Sequence, residues 1–147
     1  MIICADHVGF SVRDIEVSVH FWTDVLGGKL IREGNMSGSI IDEVTGARGA
    51  IVRMALVELA DVRIELLQYK NIVLPEETHP PYIPGYAHLA LKVEDLNSLL
   101  GKIASYGWLA PGHPQEITSG PLLGTRVIYV QSPDGQTLEL MESAKGI

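Results

Sequence analysis

Apolar positions along the first third of the chain change their spacing at defined points, and each change predicts an element. Residues 2–12 are rich in Ile and Val, which predicts a strand. Asp14 follows as a helix N-cap. Four apolar residues then recur at helical spacing: Ile15, Val19, Trp22 and Leu26. The pair Gly27 and Gly28 predicts the end of this helix.

The pattern beyond this helix predicts three further segments. Residues 29–33 form a short strand, whereas residues 34–49 are polar and Gly-rich, which indicates a mobile loop that could act as a lid. Residues 50–58 and 62–69 then predict a hairpin that turns at Ala60 and Asp61. The first part of the chain is therefore predicted to fold as β-α-β-β-β.

The same order of elements is predicted again after residue 84. Residues 86–93 form a strand, Asp95 is an N-cap, and Gly107 ends the helix. The helical stripe consists of Leu96, Leu99, Leu100 and Ile103. Strands are predicted at residues 115–118, 126–131 and 136–141, the last two flanking the turn Pro133-Asp134-Gly135.

Residues 71–84 contain Pro75, Pro80, Pro81 and Pro84 and show little periodicity, which predicts a linker. The whole chain, residues 1–147, is then one α+β domain made of two modules, residues 1–70 and 85–147. A repeated supersecondary unit of this kind indicates a pseudo-twofold fold.

Polar residues of matching type occupy matching places in the two modules. His7 and His88 are each followed by Val five residues later and by Asp seven residues later. Near the module ends, Glu65 and Glu139 each lie between apolar residues, so each carboxylate is predicted on the sheet face opposite its apolar neighbours. A single polar residue in such a pattern usually marks a solvated face. Two imidazoles and two carboxylates at equivalent places instead predict a site for a divalent metal.

Composition and charge disfavour some classes of binding partner and bear on the cellular location. The net charge of −7 disfavours nucleic acid and anionic membranes as partners. No apolar stretch approaches the about 20 residues needed to span a bilayer, and the N-terminus lacks the basic region of a signal peptide. The single cysteine, Cys4, is expected to be a buried free thiol, and a lone cysteine fits a cytoplasmic location.

Four segments resemble the vicinal oxygen chelate superfamily, which includes glyoxalases, bleomycin resistance proteins, extradiol dioxygenases and methylmalonyl-CoA epimerase. They are Asp6-His7-Val8, residues 21–27 (FWTDVLG), His88-Leu89-Ala90 and residues 132–139 (SPDGQTLE). The resemblance implies paired βαβββ modules that form a cupped mixed sheet around a metal site, in a homodimer. The implied ligands are His7, Glu65, His88 and Glu139.

The chemistry implied by the resemblance is proton transfer on a small oxygenated substrate. The metal chelates two neighbouring substrate oxygens, and Glu139 or Glu65 acts as the base that leads to an enediolate. Nickel, cobalt, manganese, zinc and ferrous iron all suit these ligand types. The resemblance thus favours a lyase of the glyoxalase type, or an epimerase or isomerase. Three residues are candidate substrate-binding residues. Arg53 and Arg126 lie on predicted strands, where they could meet a substrate anion, and Tyr129 could hydrogen-bond a substrate oxygen.

Several residues differ from the signatures of individual family members, and these differences determine how the alternative functions rank. Glyoxalase I has Arg and Asn where this chain has Ser11 and Tyr69, which disfavours a glutathione conjugate as substrate. Epimerases of the methylmalonyl-CoA type usually have Gln in place of Glu65. A ferrous extradiol dioxygenase is the second reading, although its signature histidine is absent from residues 120–122. A metal-free resistance protein that sequesters a ligand is the third.

Overall fold

Two four-stranded sheets of mixed direction make up the computed structural model, which describes residues 1–144. The chain divides into two compact units, Met1–Glu76 and a second unit from Glu77 onward. This boundary falls inside the segment that the sequence predicts as a linker. The predicted α+β class is confirmed, since few helices accompany two separate sheets.

The first unit contains four strands and two helices. In chain order these are β1 (Val8–Ser11), α1 (Ile15–His20), a π-helical turn (Phe21–Val25), β2 (Lys29–Met36), α2 (Ser39–Thr45), β3 (Ile51–Leu59) and β4 (Val62–Lys70). The sheet order is β1-β4-β3-β2. Strand β1 pairs with β4 in parallel, and the other neighbours pair antiparallel.

The second unit repeats this arrangement with one helix. Its elements are β5 (His88–Lys92), α3 (Leu96–Ala104), β6 (Gln115–Glu116), β7 (Arg126–Gln131) and β8 (Thr137–Glu142). The sheet order β5-β8-β7-β6 matches that of the first unit, and β5 again pairs in parallel with the last strand. The first and last strands of each unit are therefore neighbours.

One face of each sheet is packed against a helix. Strand β4 places Ile64 and Leu66 on that face, and β8 places Leu138 and Leu140 there; all four side chains are fully buried. Helix α1 contacts β3 and β4, and α3 contacts β8. Burial of such a side chain stabilises the fold by about 1.5–3 kcal/mol. Residues that alternate with these four, including Glu65 and Glu139, must lie on the opposite face.

The predicted N-terminal strand is wrong in its first residues. Pairing with β4 begins at Val8, and the side chains of Ile2 and Ile3 are almost completely exposed. Cys4, expected to be buried, is a free and exposed thiol. An apolar run can form a strand only where a partner offers hydrogen bonds, and the pairing of β4 with β1 reaches back no further than Val8.

The Gly-rich segment 34–49 is more ordered than the sequence predicts. Its first residues extend β2, and its middle forms α2. Ile41 of α2 is buried in a cluster with Ala50 and Val52, against which Leu67 and Tyr69 also pack. Leu67 and Tyr69 alternate with the helix-facing Leu66, so α2 covers part of the face that carries Glu65.

The helix after Asp14 also departs from simple periodicity. It changes from α-helical to π-helical at Phe21, which brings Phe21 and Val25 into the core beside Trp22. A π-turn inserts one residue into the helical pattern and shifts the stripe that follows it. In the part of the chain that the structure describes, no helix has the length and apolarity needed to cross a membrane.

Candidate metal centre

The first candidate pair joins the residue before β1 to the middle of β4. His7 immediately precedes Val8, which lies opposite Ile64, and Glu65 is the next residue along β4. The Nε2 atom of His7 is 3.1 Å from Oε2 of Glu65. The Glu65 side chain is only 16% exposed, so much of its solvation is replaced by protein contacts.

The second pair repeats this geometry in the second unit. His88 opens β5 and lies opposite Thr137, two residues before Glu139 on β8. Its Nε2 atom is again 3.1 Å from Oε2 of Glu139, whose side chain is 21% exposed. The parallel pairing of the first and last strands thus brings one imidazole and one carboxylate together in each unit.

The donor set and spacing of each pair fit a divalent metal. Two ligands at right angles on one ion, with bonds of about 2.1 Å, lie about 3 Å apart. The 3.1 Å spacing in each pair agrees with this value. Among residues 1–144, no group of three or more His, Cys, Asp or Glu side chains is gathered closely enough to hold a metal. Each unit contains one pair of candidate ligands.

Asp6 distinguishes the first pair from the second. Nδ1 of His7 donates a hydrogen bond of 2.8 Å to the Asp6 carboxylate. This hydrogen bond, with smaller contributions from His7 and nearby arginine charges, holds the pKa of Asp6 below its ordinary value. Because Nδ1 donates to Asp6, Nε2 is the ring nitrogen that faces Glu65. Ala87 precedes His88 at the equivalent place, so the second imidazole lacks this support.

Tyr129 distinguishes the second pair from the first. It lies opposite Glu139 in the β7–β8 register, where the first unit has Leu56 opposite Glu65. Its hydroxyl is 3.3 Å from Nε2 of His88, and the two rings lie 4.7 Å apart. Burial, and then the negative charge of Glu139, raise the pKa of the Tyr129 phenol. The phenol therefore keeps its proton and can donate it in a hydrogen bond.

Arg53 and Arg126 lie on the helix-covered faces, away from the His–Glu pair of their own unit. They occupy equivalent positions, each three residues from the strand residue opposite the ligand carboxylate. Arg53 forms an ion pair with Glu16 of α1. Arg126 donates to Glu142 of β8 at 2.8 Å and to Asn97 of α3 at 2.8 Å. Arg53 thus links α1 to its sheet, and Arg126 links α3 to its sheet and also bonds the neighbouring strand β8.

The acidic partner of the arginine lies on the helix in the first unit and on the last strand in the second. Glu16 on the helix becomes Asn97 in the second unit, and Gln68 on the last strand becomes Glu142. Glu142 also accepts a hydrogen bond from the backbone N–H of Leu96. This bond, followed by those from Arg126, lowers the pKa of Glu142.

The sequence reasoning named Asp6 only as part of a motif and assigned it no role. The signal was the acidic residue directly before His7, which is absent before His88. A carboxylate beside an imidazole is a frequent support for a metal ligand.

Comparison with known proteins gives one family and several relatives. The family model described as the Glyoxalase/Bleomycin resistance protein/Dioxygenase superfamily matches residues 5–140. A 2-epi-5-epi-valiolone epimerase from Actinomyces is 28% identical, with 98% of this chain and 81% of that protein covered. The uncharacterized protein YwbC of Bacillus subtilis is 31% identical, with 93% and 95% covered. A probable lactoylglutathione lyase from Synechocystis is 28% identical, with 94% of each chain covered.

Solved structures show the same fold. A glyoxalase family protein from Bacillus cereus superposes with a TM-score of 0.81 at 23% identity, covering 98% of this chain and 96% of that one. The fosfomycin resistance protein FosX from Listeria monocytogenes, solved with Mn(II) and sulfate, gives a TM-score of 0.63 at 16% identity, with 99% and 96% covered.

Proposed function

Since the chain belongs to the Glyoxalase/Bleomycin resistance protein/Dioxygenase superfamily, we propose that it is a divalent-metal-dependent enzyme that moves a proton on a small oxygenated substrate. In this proposal His7, Glu65, His88 and Glu139 supply the protein ligands. The reaction is a lyase, epimerase or isomerase step through an enediolate. Relatives named as lyases and as an epimerase support this reaction class.

The observation that carries the proposal is the repeated 3.1 Å contact between an imidazole Nε2 and a carboxylate oxygen. Two imidazoles and two carboxylates are ligand types that suit a divalent ion and would leave it formally neutral. Bound there, a divalent ion supplies Lewis acidity that lowers the pKa of the neighbouring substrate C–H.

The protein's own part in this chemistry is to hold and move the proton. Glu65 and Glu139 are the candidate bases, because each carboxylate is largely shielded from water and lies at its unit's ligand pair. Tyr129 is placed to donate a hydrogen bond to a substrate oxygen beside His88. Ser11 and Tyr69 lie where the glyoxalase I signature has its glutathione-binding residues, so the proposal does not extend to a glutathione conjugate.

Metal content tests this proposal directly. Protein stripped with a chelator is titrated with Mn(II), Co(II), Ni(II), Zn(II) and Fe(II), and binding is followed by calorimetry. Glu65→Gln and Glu139→Gln are each expected to weaken binding at least tenfold. Solvent deuterium exchange into small 2-hydroxy ketones then reports proton transfer by the loaded protein.

The chain offers a matched control for these variants. His20 at the end of α1 and Asp24 in the π-helical turn form an exposed His–carboxylate contact of 2.7 Å. Asp24→Asn should leave metal binding unchanged. Binding that is lost equally in Asp24→Asn, or that persists in both glutamate variants, contradicts the ligand assignment. Oxygen uptake with catechols in place of deuterium exchange would favour a dioxygenase.

A homodimer belongs to the same proposal, since the resemblance implies one and symmetric dimers are the commonest oligomers. Light scattering coupled to size-exclusion chromatography measures the mass directly. A mass near twice the 16.0 kDa of the chain is the expected result.

A further inference from the structure

A cavity of ≈ 620 Å³ lies in the second unit, and one of the residues that line it is Tyr129, which contacts His88. Its walls come from the start of the second unit, from the segment after Gly107 and from the end of β7. Among the residues that form them are Pro80, Tyr82, Leu109, Pro111, Tyr129 and Thr137. The volume lies within the range of about 300–1,000 Å³ that is usual for small-molecule sites.

Tyr129 connects this cavity to the proposed ligand pair. Tyr129 lines the cavity, and its hydroxyl is 3.3 Å from Nε2 of His88. Thr137, buried in the wall, lies two residues before Glu139 on β8 and therefore on the same sheet face. A molecule whose oxygens reach the ligand pair can thus extend its remaining atoms into the cavity.

The chemistry of the wall is uncharged. None of the lining residues, among those that the structure describes, is Lys, Arg, Asp, Glu or His. Gln131 uses its amide N–H groups on the carbonyl oxygens of His79 and Gly135, at 2.8 Å and 3.2 Å. The Ser132 hydroxyl accepts from the backbone N–H groups of Asp134 and Gln136. Proline rings, tyrosine rings and aliphatic side chains provide much of the remaining surface.

Hydrogen bonds and close packing within the protein connect the segments that form the wall. The bond from Gln131 fixes residue 79, and a backbone hydrogen bond from Ile83 to Pro80 closes the turn that carries Tyr82. Gly107 lies so close to Pro133 that a Cβ there would be 2.8 Å from the proline ring. Residues 80–82, which belong to the segment predicted as a linker, thus form one side of the cavity.

We infer that this cavity binds the uncharged hydrocarbon part of the substrate, so that the substrate is a neutral 2-hydroxy ketone bearing an aryl or alicyclic group. The inference rests on the proposed function for the reacting end. Carboxylate-bearing or phosphate-bearing groups such as thiol-peptide or acyl-CoA moieties find no cation among the described wall residues. Burying such an anion without a partner is strongly unfavourable.

The reaction of such a substrate balances without an oxidant. A glutamate takes the proton from the carbon that bears the hydroxyl, and the C–H electron pair becomes the C=C bond of the enediolate while the carbonyl oxygen gains the charge. Return of the proton to the same carbon from the opposite face restores the carbonyl and gives the epimer. Delivery of the proton to the former carbonyl carbon gives the isomeric hydroxy ketone, provided that the remaining hydroxyl proton moves to the former carbonyl oxygen.

Direct binding and exchange together test the inference. The probes are 2-hydroxy-1-phenylethanone, its 4-carboxyphenyl analogue and hydroxyacetone. Binding to the metal-free protein is measured by saturation-transfer NMR, and deuterium exchange is measured with the metal-loaded protein. The phenyl ketone should bind and exchange at least tenfold better than either of the other two.

Two leucine variants test whether the phenyl ketone binds in this cavity. Leu109 lines the cavity and is 62% exposed, so Leu109→Glu should fold while placing a carboxylate in the wall. It should weaken binding of the phenyl ketone at least fivefold and lower the rate of its exchange to a similar extent. The control, Leu123→Glu, alters another exposed leucine that is not in this wall and should change neither measurement.

The outcomes separate this inference from the proposed function. Equal binding of the phenyl and 4-carboxyphenyl ketones, or an unchanged affinity in Leu109→Glu, overturns the cavity assignment even if every ketone exchanges. Selective binding of the phenyl ketone without metal uptake or exchange overturns the proposed reaction and supports the cavity.

Discussion

The hydroxyl of Tyr129 lies 3.3 Å from Nε2 of His88, and the corresponding place in the first unit is occupied by Leu56. The two His–Glu pairs have the same Nε2–Oε2 distance but different neighbours, since His7 has the Asp6 carboxylate and His88 has the Tyr129 phenol. The Asp6 carboxylate thus fixes the orientation of the first imidazole, whereas the Tyr129 phenol places a hydrogen-bond donor beside the second.

Tyr129→Phe is expected to leave metal affinity within about threefold of the wild type and to lower the exchange rate about a hundredfold. The substitution keeps the ring against His88 but removes the hydroxyl, and loss of one such donor typically costs a factor of about 10²–10³. Calorimetry and exchange measured on the same preparation give both values. A parallel fall in metal affinity and exchange rate would instead assign Tyr129 to ligand support.

Asp6→Ala is expected to weaken metal binding on the order of tenfold, because carboxylate support of a ligating histidine typically contributes 10–100-fold in affinity. Asp6 is 70% exposed, so thermal stability without metal should hardly change. Asp24→Ala removes the carboxylate from the exposed His20 contact and is the matched control. Equal metal affinities for the two variants would show that Asp6 does not support the site.

Glu142→Gln is expected to lower the free energy of unfolding at neutral pH and to flatten its dependence on acid pH. The pKa of Glu142 is below its ordinary value of 4.5, so its stabilising effect is complete above that value. The effect is lost as pH falls through the lower, folded-state pKa. Urea unfolding of both proteins between neutral pH and about pH 3 measures the difference, which should shrink with acidification.

Glutamine is a conservative replacement here, because Gln68 occupies the equivalent position in the first unit. The exposed acid Glu43 on α2 provides a control through Glu43→Gln. If both variants differ from wild type by the same amount at every pH, the contacts of Glu142 with Leu96 and Arg126 do not determine its contribution.

Two glycines should respond oppositely to alanine. A Cβ at Gly28 would lie 2.7 Å from the backbone oxygen of Trp22 and 2.7 Å from Val57, so Gly28→Ala should destabilise by about 1–3 kcal/mol. Gly101 is exposed within α3 and has open space at its Cβ, so Gly101→Ala should stabilise by about 0.5–1 kcal/mol. Thermal unfolding reads both changes. If Gly28→Ala instead stabilised the protein, the close approach of Gly28 to Trp22 and Val57 would be contradicted.

Local chemistry in the sequence determined much of the fold. Asp14 and Asp95 cap the two main helices through their carboxylates, as their positions before apolar stripes predict. The hairpin turns at Ala60 and Asp61, and β7 and β8 flank the predicted Pro-Asp-Gly turn. Alternation along a strand also fixed the face on which Glu65 and Glu139 lie, since that relation needs only the period of two.

The tertiary structure decided what meets those faces, because contacts across a sheet depend on strand register. Register placed Tyr129 opposite Glu139 and left Leu56 opposite Glu65. It also placed Arg53 and Arg126 on the faces that the helices cover, where they contact Glu16 and Asn97. The sequence alone had suggested both arginines as substrate-binding residues. Periodicity in a sequence therefore determined which side of each strand is polar. Only the pairing of strands distant in sequence determined which polar groups are neighbours, since no local pattern encodes which residue of a distant strand lies opposite.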